Sequence, residues 1–405
     1  MSGRLLVTGA RVLTPGGEWP LGWIAVEGGK ITAMGQGQAP PGTGAGADLL
    51  AADGLVAMPG FIDLHVHGAL GVDVLDADPE GLRRMARFFA GQGVTAWLPS
   101  TMTATGPDTE RALEAVRAVA GPVDGGATIL GAYLEGPYLN PAKAGAQDPA
   151  LIRPAGRDEA ARFLDSGVAR VLVLAPEVEA NRWLIAEAAA RGVTVSAGHT
   201  DATYDQAVRA VEGGVRLVTH AFNAMRPLGH REPGMLGAAL VLPELRCELI
   251  ADNVHVHPAA MRLLFAAKGP AGVVLVSDAV RATGLPEGAY TVGGQPAFSM
   301  DGAIRLADGT LAGSVLTLDR ALHNLQAATG RPLAELWPAA SRNAAQAIGV
   351  DDAKGTLEPG KDADLVLLDP ALKVVVTVAE GAVVHGGDHL VRPSQPAIGR
   401  SSPRR

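Results

Sequence analysis

A single cysteine, Cys247, stands among 405 residues, so no disulfide can form within the chain. It lies in the apolar-flanked run Arg246-Cys247-Glu248-Leu249-Ile250, where a buried and inert thiol is expected rather than a nucleophile. No stretch of about 18 apolar residues occurs, and the N-terminus lacks a long apolar segment of the kind that directs export. These absences predict a soluble cytoplasmic protein with no membrane partner. Dense Lys/Arg runs are missing ahead of the tail and the formal net charge is −8, which argues against a nucleic-acid partner. Aromatic residues make up only 4% and charged residues 19%, yet 47% of the chain is hydrophobic, enough for a large core and too much for disorder.

Two patterns divide what is there. Short strand-like runs separated by Gly and Pro occur near the start, at Leu5-Leu6-Val7, Trp23-Ile24-Ala25-Val26 and Ile31-Thr32-Ala33-Met34. They return at Ala363–Leu368 and Val374–Val378. We read residues 1–56 and 348–395 as one small β-sandwich domain built from both chain ends, and residues 396–405 as a flexible tail. Between them, residues 57–347 repeat strand, loop and helix. The predicted strands are Gly60–His65, Val94–Leu98, Thr128–Leu134, Val171–Leu174, Val193–Ser196, Leu217–Thr219, Cys247–Ile250 and Val273–Val276. Several are continuous apolar runs, as parallel strands buried on both faces require. After the first strand Leu82, Met85 and Phe89 share a helical face, and after the second Leu113, Val116 and Val119 do. Eight such units predict an α/β fold, a (β/α)8 barrel of the TIM type.

Barrel chemistry sits at the C-terminal ends of the strands. Here those ends carry His65 and His67, Glu135, His199, His220, Asp252 with His255 nearby, and Asp278. Residues two apart on a strand face the same way, so His65 and His67 can address one ion. Each residue alone has a plain structural use; their recurrence at successive strand ends predicts a metal site. Imidazoles with carboxylates suit Zn2+ or Fe2+, and the lone cysteine excludes a thiolate site. His230, His257, His323, His385 and His389 fall away from strand ends and are read as surface or packing residues.

The segment from Pro59 to Gly68, containing His65-Val66-His67, together with Gly355–Val366, resembles the amidohydrolase superfamily. Leu134-Glu135-Gly136-Pro137, Ser196–Tyr204, Thr219–Met225 and Arg231-Glu232-Pro233-Gly234 are narrower. Together these motifs are similar to the N-acetylglucosamine-6-phosphate deacetylase family over nearly the whole chain. The resemblance implies hydrolysis of an acetamide on an amino-sugar phosphate, with one or two divalent ions per subunit. It implies Glu135, His199 and His220 as principal ligands and Asp278 as catalytic acid/base, with His65 and His67 available to a second ion. It further implies substrate contacts from Asn223, Ala224, Arg231, His255 and the segment Thr310-Leu311-Ala312, with Arg231 on the 6-phosphate. Ala146, Gln147 and Asp252 join this group. Where some family members carry a carbonyl-polarising His, this chain has Gln147, and we expect the second ion or the Gln147 amide to replace it. A homodimer whose partner completes the phosphate pocket is implied as well. The alternatives are deacetylation of the galacto epimer, another amidohydrolase reaction, or a non-catalytic scaffold. Cyclic-amide hydrolases use a strand-four lysine, and here that position reads Ala175-Pro176-Glu177.

Overall fold

Eight short parallel strands wrap around a common axis in the computed structural model, which describes residues 3–391. They are β1 (Phe61–Val66), β2 (Val94–Thr101), β3 (Ala132–Glu135), β4 (Ala169–Leu174), β5 (Thr194–Ala197), β6 (Val215–Val218), β7 (Arg246–Leu249) and β8 (Val273–Leu275). Each pairs with its successor from β1 to β8. Closure between β8 and β1 comes just beyond the last strand, where Asp278 N donates to His65 O at 2.9 Å and His67 N to Ala279 O at 2.8 Å. All eight predicted strands are therefore present. The third is interrupted, because Thr128–Ile129 pairs with β2 separately and Gly131 breaks the line at φ 144°. A Cβ at Gly131 would meet Val168 O at 2.4 Å, so the kink needs glycine.

Every residue of β1 and β2 is buried, so their polar members, Asp63, His65, Thr95, Ser100 and Thr101, lie inside the barrel with the apolar ones. The helices α1 (Pro79–Ala90) and α2 (Gly106–Arg117) cover this side of the barrel. In α1, Asp78 caps the first turn, Pro79 opens it, and Leu82, Met85 and Phe89 face the barrel. Burying side chains of this size contributes about 1.5–3 kcal/mol each. No helix among the described residues is long and apolar enough to cross a membrane.

The two chain ends meet in a second sheet. Its path runs Ala382–His385, Val374–Ala379, Leu365–Leu368, Val56–Pro59, Arg4–Thr14, Gly17–Glu27, Lys30–Gln36, with Asp48–Ala51 and Leu390–Val391 branching from it. Residues from both limbs, including Val7, Ile24, Leu365 and Val376, close over one core. The expected tail, 396–405, and the last residues assigned to this unit lie outside the described residues. Lys354, almost fully buried, ties the sheet to the barrel. Its Nζ lies 3.0 Å from Asp362, 2.9 Å from Asp364 and 3.0 Å from Glu380, and Glu380 accepts from Thr128 Oγ1 at 2.8 Å.

A four-stranded antiparallel sheet, Gly288–Val292, Gln295–Met300, Ala303–Leu306 and Leu311–Ser314, follows β8. It rests on the barrel mouth, with Ser314 N donating to Asp278 O at 2.7 Å.

Candidate metal centre and substrate cleft

Two groups of side chains that could hold a metal ion converge at the C-terminal mouth of the barrel: Glu135, His199 and His220 in one, His65, His67 and Asp278 in the other. In the first, Glu135 Oε1 lies 3.2 Å from His199 Nε2 and 3.0 Å from His220 Nε2, and the two imidazole nitrogens are 3.1 Å apart. In the second, His65 Nε2 and His67 Nε2 are 3.0 Å apart, and Asp278 Oδ1 lies 3.7 and 3.3 Å from them. Glu135 stands between the groups, with Oε1 3.5 Å from His65 and Oε2 3.3 Å from His67. All six residues are buried.

Local backbone aims them. His199, His220 and Asp278 adopt φ of 47°, 30° and 50°, left-handed values that non-glycine residues seldom take, and Ala224 joins them at 48°. Each such residue costs on the order of 1–3 kcal/mol. The bend turns the side chain from the strand direction into the mouth. Gly313 (φ 68°) gives this corner room, because a Cβ there would come within 2.4 Å of Val280 Cγ1.

The donor set fits a divalent cation. His67 Nδ1 faces Ser100 O at 3.1 Å and His199 Nδ1 faces Lys143 O at 2.8 Å; a carbonyl only accepts, so both rings carry their proton on Nδ1. His65 Nδ1 likewise donates to Glu248 Oε2 at 3.1 Å. The Nε2 lone pairs of His65 and His67 therefore face each other, and that of His199 faces His220 and Glu135, an arrangement that a cation relieves. A tetrahedral ion with ligands at about 2.0–2.2 Å separates its donors by roughly 3.3–3.6 Å, a few tenths of an ångström more than the spacings of 3.0, 3.1 and 3.2 Å found here.

The field of the site acts in the same direction. Burial alone would push the His67 imidazole down, but its hydrogen bonds to Asp278 and Glu135 lift it to about 9. His65 is also raised, against its own burial, by the charges of Glu135 and Asp278. Burial would raise Glu135, yet the imidazoles of His65 and His199 hold it well below the usual carboxylate range. Beneath the site, Asp63 accepts from Ser277 N and His65 N, and burial outweighs these bonds to push its carboxyl up to about 7.

A cavity of about 190 Å³ opens over the two groups. Of the expected substrate residues, Ala146, Gln147, Asn223, Ala224, His255, Thr310 and Leu311 line it. Met102, Ile250, Val280 and Val292 form an apolar wall that sequence reasoning missed, since they look like ordinary core residues. Asp252, Ala312 and Arg231, also expected at the substrate, do not line the cavity of this chain. Asp252 does not line the cavity: it lies behind His255, with Oδ2 2.7 Å from Nδ1 and Oδ1 accepting from His255 N, and so orients the ring. Ala312 is fully buried, packed with Val280, Val292 and Ile304, while its neighbours Leu311 and Gly313 reach the cavity. Arg231 is exposed outside the cavity of its own chain and touches His230 Nε2 at 2.9 Å. The Gln147 amide, expected to polarise the substrate, is already engaged by Glu135 and by Thr103 N. His257, read as a surface or packing residue, is exposed and caps the helix Pro258–Gly272.

The sequence signature of the Amidohydrolase family matches residues 56–386. The chain is 34% identical over 388 residues to N-acetylglucosamine-6-phosphate deacetylase of Bacillus subtilis, covering 95% of this chain and 98% of that one. It is 41% identical over 318 residues to N-acetylgalactosamine-6-phosphate deacetylase of Escherichia coli O157:H7, covering 78% and 84%. Its fold matches an Asp-to-Ala variant of the Mycobacterium smegmatis N-acetyl-D-glucosamine-6-phosphate deacetylase, solved with N-acetyl-D-glucosamine-6-phosphate. The TM-score is 0.86 at 33% identity, covering 94% of this chain and 99% of that one. A buried imidazole–carboxylate centre at the mouth of a parallel barrel, and kinship over nearly the whole chain, place this protein in the amidohydrolase family, among the N-acetylglucosamine-6-phosphate deacetylases.

Proposed function

We propose that this protein hydrolyses the acetamide of N-acetyl-D-glucosamine 6-phosphate, giving D-glucosamine 6-phosphate and acetate. The observation that carries the reading is Glu135 set between two buried ligand groups that open into one cavity. Catalysis is assigned to residues 57–347, with the unit formed by 1–56 and 348–395 in support.

A divalent ion held by Glu135, His199 and His220, either Zn2+ or Fe2+, would supply Lewis acidity and bring a water towards ionisation near neutral pH, and His65, His67 and Asp278 suit a second. Asp278 accepts the proton of the attacking water. The imidazoles of His65 and His67 keep its carboxyl below the usual range despite burial, so it is an ionised base at neutral pH. It then returns that proton to the sugar nitrogen as the C–N bond breaks. His255, held through Nδ1 by Asp252, presents its other nitrogen to the cavity as a fixed donor or acceptor for the substrate. The apolar wall of Met102, Ile250, Val280 and Val292 suits the acetyl methyl and excludes water.

Arg231 is assigned to the 6-phosphate of a neighbouring subunit, because a planar guanidinium binds two phosphate oxygens at once. Its exposed position supports this, as does the apolar surface beside it, where Leu228 and Val241 are 49% and 63% exposed. A homodimer that buries this surface would bring Arg231 to the partner's cavity.

Acetate release from N-acetylglucosamine 6-phosphate, its galacto epimer and the unphosphorylated sugar tests the assignment. Preference for the gluco phosphate is expected. Faster turnover of the galacto phosphate would move the protein to the specificity named for its Escherichia coli relative, and no turnover of any with metal bound would reject the reading.

A further inference from the structure

We infer that Glu248 is the positioning residue of the second cation site, fixing His65 for it and supplying the negative charge that favours its occupancy; this rests on the reading of the centre as a holder of divalent ions. On β7, Cys247 points outward to Ala239 O on the helix Gly234–Val241, and the alternation of the strand turns Glu248 inward beneath the centre. Its side chain is fully buried. Oε2 takes three donors: His65 Nδ1 at 3.1 Å, Tyr133 Oη at 3.2 Å and His220 N at 3.3 Å. Oε1 has no hydrogen-bond partner among the described residues.

A carboxylate so deep is held only against counter-charge. The ion pairs found for Glu135, Glu248 and Asp278 are all with imidazoles, and none involves Lys or Arg. Divalent cations at the centre would supply the counter-charge that Lys and Arg do not. Glu248 also sets the tautomer of His65, because it accepts the Nδ1 proton and leaves the Nε2 lone pair facing His67 and Asp278. The His65 ring is further clamped by stacking on Tyr133, with centroids 4.4 Å apart. Towards the other group Glu248 touches only the backbone of His220, so the tautomer of that ring is outside its control. The effect of Glu248 is therefore selective for the His65/His67/Asp278 site.

Zinc titration in the presence of a chromophoric chelator, on metal-free full-length protein, separates the two affinities. Wild type is expected to bind two ions. Glu248→Gln should keep the first affinity and weaken the second by roughly 10- to 100-fold, the usual effect of removing a partner behind a metal ligand. His67→Asn, which removes a direct ligand and leaves Glu248 in place, gives the reference for a one-ion protein. Circular dichroism and melting of the metal-free proteins check folding, and Glu248→Asp, which restores charge, should recover part of the second affinity. One ion in wild type, two ions of unchanged affinity in Glu248→Gln, or equal loss at both sites overturns the inference. Selective loss in a protein that releases no acetate from the sugar phosphate would instead leave this inference standing and reject the proposed substrate.

Discussion

Gln147 Nε2 donates to Glu135 Oε2 across 2.5 Å, while Gln147 Oε1 accepts Thr103 N–H at 2.7 Å. One amide thus fixes the carboxylate shared by both ligand groups. Gln147→Leu should lower metal affinity about 10- to 100-fold, as loss of such a partner does elsewhere. A metal-buffer titration checks this. Unchanged affinity with reduced turnover would instead return Gln147 to polarising the substrate carbonyl.

Asp278 lies 3.3 Å from His67 and borders the cavity. Asp278→Asn keeps the size and removes the base. Acetate release should fall by about 10²- to 10⁴-fold, the range for lost general acid–base catalysis, with a smaller change in KM. Steady-state kinetics at saturating metal decide it.

Leu228 and Val241 flank the surface next to Arg231. Replacing both by Asp places charge in the proposed interface and should give monomers in sedimentation equilibrium. KM for the phosphorylated substrate should rise in those monomers, and Arg231→Ala should reproduce the rise without dissociation. A monomeric wild type would reject the shared pocket.

Burial pushes the Cys247 thiol up to about 12, from an ordinary value near 9. The unfolded chain releases this proton near 9 and the folded one only near 12. The contribution of this group to stability is therefore present below pH 9 and declines as pH rises through that window. Alkylation at pH 9.5 should be very slow in native protein and fast in denaturant; rapid native labelling would mean the thiol is open to solvent.

Lys354 holds three carboxylates at the junction of barrel and end sheet. Lys354→Met strands these charges, and breaking a buried pair in this way costs about 3–5 kcal/mol. Urea denaturation should show this loss as a lower midpoint, with the zinc affinity of the surviving native protein unchanged.

The eight strands, and the six residues that form the two buried imidazole–carboxylate groups, were legible because strands buried on both faces are mostly apolar, and ionisable residues recurring at their ends stand out. Residues that act from inside the barrel left no such mark. Glu248 follows Cys247 in a run that reads as core, and only the register of β7 shows that it meets His65. Asp252 stands at a strand end as a ligand would, yet its carboxylate is spent on His255 and on two backbone amides. Arg231 carried a motif but no position, since whether a loop faces its own cavity or a neighbour's depends on geometry that spacing does not encode. The antiparallel sheet from Gly288 to Ser314 was missed because its strands are half exposed and lack the apolar run.

The strand Val56–Pro59 is flanked by Arg4–Thr14 on one side and Leu365–Leu368 on the other. Val56 and its neighbour Leu368 are made 312 residues apart, so at ribosomal speeds of about 5–20 residues per second the gap lasts roughly 15–60 s. For that interval the nascent chain carries an unpaired hydrophobic edge that its own amino-terminal strands cannot cover. Assembly is therefore ordered by synthesis: the barrel strands are all made before Leu365–Leu368, and that strand then covers the free side of Val56–Pro59.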